Sequence, residues 1–174
     1  MNSELDGKIV LVTGGAGGIG SVISESFAEQ GAKVIVHYKH SKEKAELIAN
    51  KISGVAMYAD LTDSEQTKEL FNDIIDEEGK IDICIANAGK YPKDYAPLWE
   101  IGIERWNDTI STNLSLAYNT SRYFLKHVAE TKKGSLVLIG STAGIYGEAG
   151  HADYAAAKGA ITSGLLRTLK NDAA

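Results

Sequence analysis

The sequence predicts an α/β fold, a doubly wound parallel sheet with helices on both faces, and two observations carry that prediction. Short apolar, β-branched runs alternate with longer amphipathic ones along the whole chain. That pattern marks successive strand–helix units, whose right-handed crossovers make the strands parallel. The first apolar run also passes directly into a glycine-rich turn and then a helical stretch, the context a dinucleotide site requires. The expected strand order is 3-2-1-4-5, with ligand at the switch point between the first and fourth strands.

The first strand is expected over 8–13, in Lys8-Ile9-Val10-Leu11-Val12-Thr13. It feeds Gly14-Gly15-Ala16-Gly17-Gly18-Ile19-Gly20 and a helix over 18–30. Glycines there permit a tight turn and a close backbone approach to a pyrophosphate, and the helix start offers free N–H groups and a positive dipole end. Further strands are expected over 33–37, 55–59, 82–86 and 135–140, and further helices over 42–52, 64–78, 103–130 and 153–170. In the 103–130 segment, Trp106, Ile110, Leu114, Ala117, Ser121, Phe124 and Val128 form one stripe at helical spacing, read as packing against the sheet. No repeat, linker or low-complexity segment interrupts the chain.

With 174 residues and 44% hydrophobic content, the chain has material for one domain, 1–174, with its own core. A net charge of −5 suggests no nucleic-acid or membrane-surface partner. No run approaches the length of a transmembrane helix and the N-terminus lacks an apolar signal region, so the expected location is cytoplasmic. Cys84 is the only cysteine, which rules out an intramolecular disulfide; within Ile83-Cys84-Ile85 it reads as a small buried hydrophobe. His37, His40, His127 and His151 lack the paired spacing of a zinc site, so no metal is expected.

Tyr154-Ala155-Ala156-Ala157-Lys158 sets a phenol and an ammonium four residues apart in a helical stretch, on one face. The cation favours the phenolate, which makes the phenol an acid/base suited to work near neutral pH.

Thr13-Gly14-x-x-x-Gly18-x-Gly20, Asn87-Ala88-Gly89 after a later strand, and Tyr154-x-x-x-Lys158 near the end together resemble the short-chain dehydrogenase/reductase family. The resemblance runs in order along essentially the whole chain and implies a Rossmann-like sheet and hydride transfer between a nicotinamide cofactor and a carbonyl or alcohol. It implies that Tyr154 is the proton donor, and that Lys158 assists it and binds the nicotinamide ribose. Ser141 would stabilise the substrate oxygen, and Asn113 would hold a water linking Lys158 to solvent. For the cofactor it implies Thr13, Gly14, Gly18, Ile19 and Gly20 at the pyrophosphate, Asp60 and Leu61 at the adenine, and Asn87, Ala88 and Gly89 at the adenosine ribose.

Cofactor preference is expected to turn on the end of the second strand, where NAD binders place an acid for the ribose 2′-hydroxyl. This chain has Tyr38 and Lys39 there and no acid, which favours NADP(H) over NAD(H), although Gly17 stands where many NADP-using relatives carry a second basic residue. Lys offers a point charge without the planar fork of Arg. The resemblance implies a small-molecule carbonyl or alcohol substrate and a homo-oligomer, dimer or tetramer, through the 103–130 helix. It extends to 3-oxoacyl-[acyl-carrier-protein] reductases and, through Tyr38-Lys39, to glucose dehydrogenases, so a sugar or polyol dehydrogenase is the alternative. A non-catalytic dinucleotide-binding module is the alternative from another class. Family members continue with two more strands and the helices that close the substrate pocket, so the chain is expected to be truncated at its C-terminus.

Overall fold

The computed structural model describes residues 4–173. Five parallel strands form one sheet in the order β3-β2-β1-β4-β5. They are β1 (Ile9–Val12), β2 (Lys33–Tyr38), β3 (Val55–Tyr58), β4 (Ile83–Ala86) and β5 (Ser135–Leu138). The expected order holds, and each strand lies within two residues of its expected ends.

Alternate side chains of β1 go to opposite faces, as the pleat demands. Ile9 and Leu11 join a core layer with Phe71, Ile74, Leu116 and Phe124, from helices α3 (Ser64–Glu78) and α5 (Leu116–Thr131). Val10 and Val12 face the other way, toward Ala45, Ile48 and Ala49 of α2 (Lys42–Lys51) and Ala16 before α1 (Gly18–Glu29). Because both faces are covered, the central strands read as continuous apolar runs rather than alternating ones.

Helix α3 shows how local sequence sets its ends. Asp63 caps it by accepting from the N–H groups of Glu65 and Gln66, and Gly79 closes it in the left-handed region at φ 77°.

The expected 103–130 helix exists but contains an extra residue. It runs as α4 (Ile103–Ile110), a π-helical turn at Ser111–Ser115, and α5. The π turn shifts the phase of the buried face. Ala117, Ser121 and Phe124 of the expected stripe are buried, whereas before the turn the buried positions are Thr109 and Asn113, with Trp106 and Ile110 only half-buried. The expected 153–170 helix is likewise α7 (Ala152–Gly159), a second π-helical turn at Ala160–Leu165, and α8 (Leu166–Asp172). A short α6 (Ala143–Tyr146) and a 3₁₀ turn at Leu98–Glu100 were not legible as periodic patterns. No helix among the described residues is long and apolar enough to cross a membrane.

Candidate active site

A cleft of about 670 Å³ opens at the carboxyl ends of the strands, where β1 and β4 diverge to opposite halves of the sheet. One end is the glycine loop with the tips of β2 and β3; the other holds Asn113, Tyr154 and Lys158.

The glycine loop is held from below by polar struts. Thr13 is fully buried, and its Oγ1 accepts from the Asn87 N–H at 2.9 Å and the Ala88 N–H at 3.0 Å. Asn87 Nδ2 donates to the Thr13 carbonyl at 2.9 Å. Thr13 thus supports the loop from beneath and does not line the cleft, while Gly14, Gly18, Ile19, Gly20, Asn87, Ala88 and Gly89 do. Gly14 takes φ 62°, and a Cβ on Gly20 would run into the Gly14 carbonyl. No side chain caps α1 at Gly17, so its first N–H groups face the cleft ready for an anion.

His37 is a strut that the sequence did not reveal. It is 3% exposed, and its Nδ1 accepts from the Gly14 N–H at 3.0 Å while Nε2–H donates to the Ala59 carbonyl at 3.0 Å. Burial pulls its pKa down to about 4, so the ring is neutral, as the acceptor role of Nδ1 requires. The signal was present: an imidazole inside Val34-Ile35-Val36-His37 must find partners once buried.

At the tip of β2, Lys39 Nζ lies 2.6 Å from Asp60 Oδ2, and Thr62 donates to Asp60 Oδ1 through both N–H and hydroxyl. Burial pushes the Asp60 carboxyl up, but the hydrogen bonds from Lys39 and Thr62 outweigh it and hold the group below its ordinary value. The expected phosphate-binding cation and the expected adenine-binding acid are therefore bonded to each other. Tyr38 and Leu61 line the cleft beside them.

At the far end, Lys158 is 5% exposed and donates to the Ile139 carbonyl at 2.9 Å. Burial lowers its pKa. Its ammonium sits 5.8 Å from the centroid of the Tyr154 ring. Asn113 lies in the π turn, where Nδ2 donates to the Lys90 and Thr109 carbonyls at 2.8 and 3.0 Å. Its Oδ1 is buried without a partner, next to Gly89. A helix that accommodates one extra residue here turns an Asn that would be unfavourable mid-helix toward the cleft. Ser141 follows β5, and the cleft lining stops one residue short of it, at Gly140. Its Oγ accepts from the Ala143 N–H at 3.2 Å, which leaves its own proton free to be donated.

Tyr91 covers Tyr154. The two rings meet edge to face at 5.1 Å, while Tyr91 stacks on His151 at 4.7 Å and donates to Glu148 at 2.7 Å. Cys84 lies fully buried away from the cleft, and burial pushes its thiol pKa up, so it is no nucleophile.

The residues fit a dinucleotide. The tight glycine cradle and uncapped α1 N–H groups suit a pyrophosphate, and the orphaned Asn113 Oδ1 marks a polar end.

Comparison with known proteins agrees with this geometry. The chain is 35% identical over 173 residues to 3-oxoacyl-[acyl-carrier-protein] reductase FabG of Escherichia coli, covering 98% of this chain and 69% of that protein. It is 33% identical over 170 residues to the FabG of Thermotoga maritima, covering 95% and 68%. It is 34% identical over 173 residues to hydroxynaphthalene reductase arp2 of Aspergillus fumigatus, covering 97% and 62%. The chain thus spans about two thirds of the length of these relatives. The profile of the short chain dehydrogenase family matches residues 8–174. With that match over nearly all of its length, the chain belongs to the short-chain dehydrogenase family.

Proposed function

We propose that the protein is an NADPH-dependent reductase that interconverts a carbonyl and an alcohol, with a 3-oxoacyl thioester as the leading substrate. The observation that carries this reading is one cleft with a phosphate cradle at one end and Tyr154, Lys158 and Asn113 at the other. The names of the relatives, reductases of 3-oxoacyl and aromatic carbonyl compounds, support it.

The nicotinamide, when bound, supplies or accepts the hydride. Tyr154 gives its hydroxyl proton to the substrate oxygen in reduction and takes it back in oxidation. The ammonium of Lys158 stabilises the phenolate left behind, and its donors not engaged by Ile139 are available for ribose hydroxyls. Ser141 donates its free proton to the same substrate oxygen and stabilises charge that develops there. The open Oδ1 of Asn113 accepts from a water that returns a proton to Lys158. Lys39 at the tip of β2, with no acid beside it on that strand, favours the 2′-phosphate of NADPH. Exposed Ile103 and Tyr118, on α4 and α5, fit a self-association face.

Tyr154→Phe tests the assignment, with acetoacetyl-CoA and NADPH as the assay pair and glucose with NADP as the rival. Loss of roughly 10²–10⁴-fold in kcat with an unchanged NADPH Kd is expected. Undiminished turnover would sink the assignment, and faster glucose oxidation than thioester reduction would favour the sugar dehydrogenase.

A further inference from the structure

Asp153 precedes the proposed acid, and its carboxylate is completely buried. Arg105 Nε donates to its Oδ2 at 2.9 Å, Arg105 Nη2 to its Oδ1 at 3.3 Å, and Thr109 Oγ1 to its Oδ2 at 2.9 Å. Burial pushes this carboxyl up, and the bonds from Arg105 and Thr109 outweigh burial and hold it below its ordinary value.

The rest of the guanidinium reaches two loops. Nη1 donates to the Asp94 carbonyl at 2.8 Å, and Nη2 also donates to the Gly150 carbonyl at 3.1 Å. The same Gly150 carbonyl accepts from the Ala96 N–H at 3.1 Å. These loops are bonded again above the cleft by Tyr91 and Glu148, where the Tyr91 ring rests edge-on against Tyr154.

We propose that Arg105 and Asp153 are positioning residues that lock the loops around Asp94 and Gly150 to the helix of Tyr154, so that the wall beside the acid and the acid move as one body. Such a lock needs a planar fork, because one group must meet a carboxylate and two carbonyls at once, which an ammonium cannot do. Sequence spacing holds no hint of it, because the two residues come from α4 and α7.

The proposal rests on Tyr154 being the acid for its kinetic arm only. The test uses Arg105→Met/Asp153→Leu, since replacing a buried ion pair with apolar side chains is often tolerated where removing one partner is not. Three readouts are compared with the unaltered chain: hydrogen exchange along the backbone, the ring signal of Tyr154 in carbon-13 tyrosine-labelled protein assigned through Tyr154→Phe, and kinetics with ethyl acetoacetate and NADPH. The expected result is about tenfold faster exchange over both loops together, with β1 and β4 still protected. The Tyr154 signal should shift or broaden, kcat should fall on the order of a hundredfold, and NADPH Kd should stay within about twofold.

Unchanged exchange in both loops would overturn the proposal, as would looser loops with an unmoved Tyr154 signal or an undiminished kcat. No turnover by the unaltered chain would count against the reductase reading, while exchange and the tyrosine signal would still decide this one. Should the double variant not fold, Arg105→Lys keeps a charge for Asp153 without the fork and carries the same readouts.

Discussion

Asp60→Asn should make the protein more selective for NADPH. Lys39 is the cation offered to a 2′-phosphate, but its ammonium sits 2.6 Å from the Asp60 carboxylate, with side chains 35% and 23% exposed. A phosphate must draw Lys39 away from that carboxylate or share it. For a pair this open to solvent, the attraction is screened to about 0.5–1 kcal/mol. At 1.4 kcal/mol per tenfold, removing the competitor tightens NADPH by about 2–5-fold. NADH, which asks nothing of Lys39, should change little. Asn keeps an oxygen for the two Thr62 donors, so the turn should survive. The assay is the ratio of Kd for NADH to Kd for NADPH, from cofactor fluorescence, in the parent, Asp60→Asn, Lys39→Gln and the double variant. Asp60→Asn should raise the ratio, Lys39→Gln should lower it, and Asp60→Asn should have no effect on the ratio once Lys39 is gone. A ratio that stays level or falls in Asp60→Asn would refute the competition.

Acid should weaken the fold through His37. Its folded pKa of about 4 lies below the unfolded 6.5, so the unfolded chain binds the extra proton between these values. Its contribution is therefore complete above pH 6.5 and lost as pH falls toward 4, about 3 kcal/mol in all. Melting temperatures measured across that window should decline less steeply in His37→Asn than in the parent; identical slopes would contradict the argument. Gly20→Ala drives a methyl into the Gly14 carbonyl, and NADPH binding by titration should weaken more than tenfold, on the order of 1.4 kcal/mol or more. An unaltered Kd would mean that the loop does not touch the cofactor.

The sheet was legible because it is built from signals that need no partner: β-branched runs, glycine punctuation and alternation with helices. Tyr154 and Lys158 were legible for the same reason, since one helix places both. Features made by distant residues were not. Lys39 read as a free cation because nothing local shows that Asp60 arrives beside it from the end of β3. The buried Arg105–Asp153 pair joins positions 48 residues apart. The π turn at Asn113 was half visible, as a polar residue in a place that ordinary helix does not favour. Its phase shift is what exchanged Trp106 and Ile110 for Thr109 and Asn113 on the buried side.

The strut between Thr13 and Asn87 spans 74 residues of chain. During synthesis at about 5–20 residues per second, the glycine loop leaves the ribosome roughly 4–15 s before the segment that holds its base in shape. Over that interval the nascent chain has the phosphate-binding letters without the phosphate-binding form. Free dinucleotide cannot template the first half of the protein; it can only trap the chain after β4 has closed against β1. The loop is made early and finished late.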